Sequence, residues 1–362
     1  MALPKFASST LSVHTLLKKR INDYFQQKKL SPSGNYKLYI KAGVLMSGYI
    51  LIYTTLLLAH FPLWISIIEC AILGILTASI GFNVMHDGAH GSFSKYPWLN
   101  KIAATSLDFL GASSFMWNIK HNVIHHAYTN IDGVDDDINA RPFLRLCATQ
   151  KHYKVYRYQY IYFWFLYSML YLFWVFFTDY KKYFTHRIGT VQLQKFTLKN
   201  HITFWSFKAL YFFLYIGLPI YMFGVIPWLI GFLIYAAVAG FLLSIVFQLA
   251  HTVTETAFPV AAQPSNKLED EWAVHQLKST ANFATKNKFI TWWLGGLNFQ
   301  IEHHLFPKIS HVHYPVICNI IRQTCAESQL PYIEHRKVAL AVKSHIVYLK
   351  ELGRKDAGRQ KT

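Results

Sequence analysis

The placement of lysine and arginine constrains this chain more than any motif does. All 36 of them fall within residues 1–41, 95–208 or 267–362, and the intervals 42–94 and 209–266 contain none. Each cation-free interval holds two apolar runs joined by a short link, 59–62 in the first and 224–227 in the second. A helix needs about 20 apolar residues to cross the hydrocarbon core. The pattern therefore predicts an all-α integral membrane fold with four transmembrane helices, about 42–61, 63–85, 208–223 and 227–248, arranged as two hairpins. Basic segments stay on the cytoplasmic side, which places both termini and the large central segment in the cytoplasm, where they would form a helical cap.

Composition agrees. Hydrophobic residues make up 53% and charged residues 15%, well under the roughly 25% charge of an ordinary soluble domain. The formal charge of +18 suits an anionic lipid face or an acidic partner; no clustered, base-reading module supports a nucleic-acid partner. Cys70, Cys147, Cys318 and Cys325 are scattered and form no CxxC pair, so neither a disulfide framework nor a zinc ribbon is implied. The first apolar run begins too late for a cleaved signal peptide. Residues 1–41 are expected to be a basic cytoplasmic segment, 42–350 the membrane domain, and 351–362 a disordered tail.

A fifth apolar run, about 158–178, is flanked by Lys151, Lys154 and Arg157 before it and Lys181, Lys182 and Arg187 after it. Crossing would separate two basic flanks, so its Tyr- and Trp-rich sequence reads as an interfacial or re-entrant helix on the cytoplasmic face. A fifth span is the alternative.

Eighteen histidines make one HxxxH pair unremarkable, since chance alone supplies about one. His86-Asp-Gly-Ala-His90 is such a pair, and on a helix its imidazoles share a face. His121-Asn-Val-Ile-His125-His126 is more specific, and Gln300-Ile-Glu-His303-His304 adds a third cluster. Positive-inside topology puts all three on one side. A helix from Leu63 to His90 would be about 42 Å long against a core of roughly 30 Å, carrying His86 and His90 clear of the lipid. His251 ends the last span on the same side. Eight imidazoles, with Gln300 as a ninth donor, exceed the roughly four ligands of a zinc ion and fit two metals; imidazole alone does not name the metal.

HDGAH, HNVIHH and QIEHH, in this order across two hairpins, resemble the three histidine boxes of the membrane fatty acid desaturases. WNIKHNVIHHAYTNIDGVDDDI and LNFQIEHHLFPKISHVHYP are similar to the linoleoyl-CoA and front-end branch. The resemblance runs from about Tyr36 to His313. It implies two iron ions cycling between Fe2+ and Fe3+, O2 as co-substrate, and His86, His90, His121, His125, His126, His251, His303 and His304 as ligands. Gln300 stands where related enzymes carry a further histidine. Many front-end members carry a fused cytochrome b5 domain with an HPGG motif. None occurs here, so a separate donor such as ferredoxin or cytochrome b5 is expected.

An alkyl C–H bond has no acidic proton and no leaving group, so a cofactor must supply the difficult step. The chain's share is to orient imidazoles, with Asp87, Asn122, Glu302 and His275 as candidate supports, and to aim an acyl chain carried on CoA, acyl carrier protein or a lipid. Trp117, Trp292 and Trp293 are candidate tunnel walls or interfacial anchors. His311 and His313 are expected to orient loops or lie at the surface, and His60 sits at an outer turn. Glu69 lies within a span, as a functional carboxylate or one snorkelling outward. Asp135, Asp136 and Asp137 could contact substrate, cap a helix or lie in a solvated loop. No catalytic side chain is expected beyond the metal centre. The expected activity is oxygen-dependent introduction of a cis double bond, in a bacterial inner membrane. The rivals are hydroxylation at the same site and a histidine-rich metal transporter, the latter disfavoured because the spans hold almost no polar ligands.

Overall fold

The computed structural model describes residues 3–8, 12–59 and 61–354; His60 and the tail 355–362 lie outside the described residues. The chain is mostly helical. Five helices are long and apolar enough to cross a membrane by length and composition: α2 (Tyr36–Leu58), α3 (Leu63–His90), α6 (Lys154–Thr185), α7 (Leu198–Phe223) and α8 (Val225–His251). Before and between them come α1 (Val13–Lys28), α4 (Pro97–Phe109) and α5 (114–128). After α8 follow α9 (Trp272–Ser279), α10 (Lys288–Trp293), α11 (Gln300–Leu305), α12 (Tyr314–Glu327) and α13 (Val338–Leu352).

The ends of these helices follow local chemistry. Asn35 caps α2 by accepting from the Lys37 amide, and Pro62 opens α3, where its missing N–H is no loss. The second hairpin is tighter than its sequence suggests: α7 ends at Phe223, α8 begins at Val225, and Gly224 turns the chain alone at φ +81°, a conformation that favours glycine. α7 is also longer than its apolar run, because Thr197 caps it and a polar first turn extends it.

The apolar core lies where α2, α3, α6 and α8 meet. Helices in lipid gain little from burying more hydrocarbon, so small residues that admit close approach matter. At Gly240 of α8 an added Cβ would sit 2.6 Å from the Ser168 carbonyl of α6, and Ser244 donates to the Tyr167 carbonyl at 3.1 Å. Five buried tyrosines add polar contacts in the same region: Tyr49 with Tyr215 (2.6 Å), and Tyr171 with Tyr235 (2.7 Å) and Tyr211 (3.2 Å). Glu69 does not snorkel; it is buried and accepts from Thr55 at 2.8 Å.

The basic N-terminal segment holds more structure than its polarity suggests. Leu17, Ile21 and Phe25 share one face of α1 and pack against Ile317 and Ile321 of α12 and Leu277 of α9. α11 contributes Ile301 and Leu305 to the same core. The α1–α12 layer thus backs the helix that carries the third histidine cluster. A two-residue parallel pairing of Asn282–Phe283 with Glu334–His335 ties the C-terminal region to the chain leading into that helix.

Candidate metal centre

Each histidine cluster is brought in by a different backbone device. His86 and His90 end α3 beyond a π-helical turn at Gly81–Met85, and their ring centroids are 4.7 Å apart. His121 and His125 lie within a second π-helical stretch, Ile119–His125. Its wider turn spreads His121, His125 and His126 further than an α-helix would. His303 and His304 sit on the six-residue α11, and His251 is the last residue of α8.

The eight side chains converge into two adjoining groups. Ring nitrogens of His86, His90, His121 and His303 all lie within 4.8 Å of one another, as do those of His125, His251 and His304. His126 joins the two, meeting His303 and His304 within the same limit and approaching His121 at 3.2 Å between Nε2 atoms. Asp137 also stands near His121 and His125, but its carboxylate is engaged by Lys120 and His125.

Six of the fifteen buried side-chain atoms without a partner among the described residues belong to this convergence. Nε2 of His90, His125, His251, His303 and His304, and Nδ1 of His126, are buried without a hydrogen-bond partner. Buried polar atoms are nearly always paired, so such a concentration is what a metal site leaves when only its protein donors are counted. The opposite nitrogens are held. His125 Nδ1 donates to Asp135 (3.0 Å), His251 Nδ1 to the Ser279 carbonyl (3.3 Å) and His304 Nδ1 to Gln276 Oε1 (2.9 Å); His303 Nδ1 pairs with the Tyr314 hydroxyl (3.1 Å). Fixing Nδ1 in this way leaves the Nε2 lone pair pointing inward, the usual outer-shell arrangement of a metal-binding histidine.

Electrostatics favour neutral imidazoles. Burial, reinforced by neighbouring rings, holds His121, His126, His303 and His304 well below the ordinary histidine pKa, so their lone pairs are free for a cation. At His125 burial also acts downward, but Asp135 and Asp137 outweigh it and raise the value. The donors are all imidazole, with no cysteine in these groups among the described residues, a set suited to a borderline transition metal rather than a soft one.

Other residues singled out from sequence fall differently. Among the described hydrogen bonds Asp87 meets no box imidazole; it accepts from His311 Nδ1 (3.0 Å) and Ser310 (2.7 Å), and His311 is buried. Asn122 donates to the Ala89 carbonyl, stitching the second cluster to the first. Glu302 accepts from Tyr332 and Asn282, and Asn282 in turn holds the Ile301 amide. Gln300 is buried beside His251 and donates to the Leu297 carbonyl. His275 is buried against Phe6, outside the metal-holding groups among the described residues. Trp117 stacks on His121 at 4.3 Å. Trp292 is half exposed beneath the Lys41 ammonium, and Trp293 donates to Ser79; neither ring meets a box histidine among the described contacts. His313 bonds the Ser33 carbonyl.

Sequence reasoning missed Gln276, Tyr314, Ser279 and the role of Asp135. Gln276 follows His275 by one residue, and the helix turns it toward His304 and Thr129 instead. The acidic triplet divides its work: Asp135 holds His125, Asp136 pairs with Lys182 (3.0 Å) and Asp137 with Lys120.

A helical fold with five candidate membrane helices, closed around buried imidazoles spaced so that they could hold metal ions, is the architecture of a membrane-bound metalloenzyme. A family model for fatty acid desaturases matches residues 62–336, and the chain belongs to that family. It is 32% identical over 338 residues to the sn-1 linoleoyl-lipid 6-desaturase of Arthrospira platensis, covering 93% of this chain and 91% of that one. It is 33% identical to the Synechocystis sp. enzyme of the same description, over 94% and 95% of the two chains. An acyl-lipid (8-3)-desaturase of Physcomitrium patens is 35% identical over 94% of this chain and 71% of its own length. The chain is therefore an integral membrane oxidoreductase that desaturates fatty acyl chains.

Proposed function

We propose that this enzyme introduces a double bond into an acyl chain carried on an intact membrane lipid, at a pair of iron ions held by His86, His90, His121, His125, His126, His251, His303 and His304. The observation that carries this reading is the cluster of buried, unpartnered imidazole nitrogens facing one another across two adjoining groups. When bound, the iron pair would supply the O2-dependent oxidation of two adjacent C–H bonds, chemistry that no side chain can perform. The chain's residues do the rest. Asp135, Ser279 and Gln276 hold Nδ1 protons, Tyr314 steadies His303, and Trp117 braces His121. The relatives named as linoleoyl-lipid 6-desaturases make a linoleoyl lipid the first substrate to test.

We read four spans, with both termini and the metal centre on the cytoplasmic side of a bacterial inner membrane. Both ends of α6 support this. Gln159 near its start bonds the carbonyls of Arg145 and Leu349, and Lys182 near its end bonds Asp136, beside the residue that holds His125. A helix anchored at both ends to one cap suits the membrane surface better than a crossing. Reducing equivalents come from a separate acidic carrier, ferredoxin or cytochrome b5, attracted to the basic cytoplasmic segments.

Expression in a host of defined fatty acid content, fed linoleate, with double bonds located by mass spectrometry, tests the activity. His125→Ala and His303→Ala should each abolish product and bound iron while the protein stays in the membrane. Full activity in either variant would sink the ligand assignment.

A further inference from the structure

Asp108 ends α4 with a carboxylate only 4% exposed. Its Oδ1 accepts from the Ser114 amide at 3.1 Å, but Oδ2 is buried without a partner. The nearby cation Lys208 cannot serve it, being committed to Asp179 and to the carbonyls of Gly111 and Val175. Asp108 lines a cavity of about 340 Å3 between α4 and α7, with Asn200 and Thr203 opposite and Lys101 and Lys199 among its walls. Aromatic faces complete it: Phe115 meets Phe196 edge-on at 5.5 Å, and Tyr183 stacks on Phe204 at 4.4 Å.

A second, more open cavity of about 600 Å3 shares Lys101, Ala104, Ser114 and Phe115 with the first and reaches His90. Helix α4 runs along both. Asn100 lines the cavity beside His90 and Asp108 the other, a separation of about 12 Å along the helix at 1.5 Å per residue. A molecule seated at Asp108 can therefore extend a chain toward the metal centre.

A carboxylate oxygen can only accept, so its missing partner must be a donor. The phosphodiester group itself offers none at neutral pH, whereas a hydroxyl does, and Lys101 and Lys199 in the wall disfavour a headgroup ammonium. Asn200 and the lysines complement hydroxyl oxygens, and the aromatic rings suit the C–H faces of a sugar. We propose that this cavity is the headgroup subsite of the lipid substrate and takes a headgroup with free hydroxyls, a sugar or polyol. The proposal rests on the reading that the acyl chain is lipid-linked.

The full-length, metal-loaded enzyme in nanodiscs would be offered a glucosyl diacylglycerol and a phosphatidylcholine with identical acyl chains. Retained lipid would be weighed by native mass spectrometry. The expected result is about tenfold preferential retention of the glucoside, the scale of one hydrogen bond to a charged group, collapsing toward parity in Asp108→Asn. Thr203→Val, on the opposite wall, should lower the same ratio without touching the α4 carboxylate. Equal retention of the two lipids by the wild-type protein, or an undiminished preference in Asp108→Asn, would overturn the proposal. Desaturation of acyl-CoA but of no lipid would overturn the lipid-linked reading instead, and the retention ratio would still decide what the cavity binds.

Discussion

Asp135 accepts a hydrogen bond from Nδ1 of His125 at 3.0 Å, with both groups shut away from water. A buried carboxylate on the far side of an imidazole fixes its tautomer and makes the inward nitrogen a better donor. Asp135→Asn removes that charge while nearly keeping the shape. Metal affinity measured by chelator competition should fall by about 10- to 100-fold, with membrane insertion intact. An unchanged affinity would mean that Asp135 serves only its other contacts, the amides of Asn130 and Asp137.

Gly88, between the two histidines of the first cluster, lies against α4. An added Cβ would stand 2.6 Å from both the Ala103 Cβ and the Ala104 amide nitrogen. Gly88→Ala must push the end of α3 away from α4 and carry His86 and His90 with it. Overpacking of this kind costs about 1–3 kcal/mol. Purified protein should bind less metal than wild type, in greater proportion than its melting temperature falls. Full metal loading would show that α4 yields instead.

Burial pushes the Asp108 carboxyl from 3.8 up to about 6, with Asp179 adding to the rise and Ser114 and Lys208 opposing it; Lys101 and Lys199 face the same cavity. Between those two pH values the folded chain keeps a proton that the unfolded chain has lost, so stability falls as pH rises through the window. The loss levels off above about pH 6 at roughly 3 kcal/mol, from 1.36 kcal/mol per pKa unit. Asp108→Asn cannot ionise. Thermal midpoints of the two proteins in detergent should match near pH 3.5 and separate by pH 7.5 with the variant higher; parallel curves would refute the assignment.

Tyr171 donates its hydroxyl to the Leu110 carbonyl at 2.6 Å and meets Tyr235 at 2.7 Å, joining α6 to α8 and to the end of α4. Tyr171→Phe keeps the ring and should lower stability by about 1 kcal/mol, the usual worth of a polar contact between membrane helices. Tyr221, 88% exposed, is the control, and its change to Phe should leave the midpoint where it was. Equal effects from the two substitutions would remove the phenol cluster from the list of contacts that hold these helices.

The chain by itself determined which segments are apolar, where cations are forbidden, and that three histidine clusters and His251 stand at matching ends of their helices. These are one-dimensional properties: hydrocarbon thickness sets a run length, and a repeat of four places two rings on one face. The tertiary structure decided what no local spacing encodes. Gln276 rather than His275 reaches His304, because the direction of a side chain on the short α9 depends on how that helix packs against its neighbours. Asp135 is a buried partner of His125 rather than a solvated acid, because the acidic triplet folds back on the second cluster through Lys120 and Lys182. The π-helical turns before and within two clusters were also illegible, since a widened turn is stabilised by packing and not by composition. Contacts at separations from 10 residues, His125 with Asp135, to 147, Thr129 with Gln276, set these details, and their energies appear only once the chain has closed.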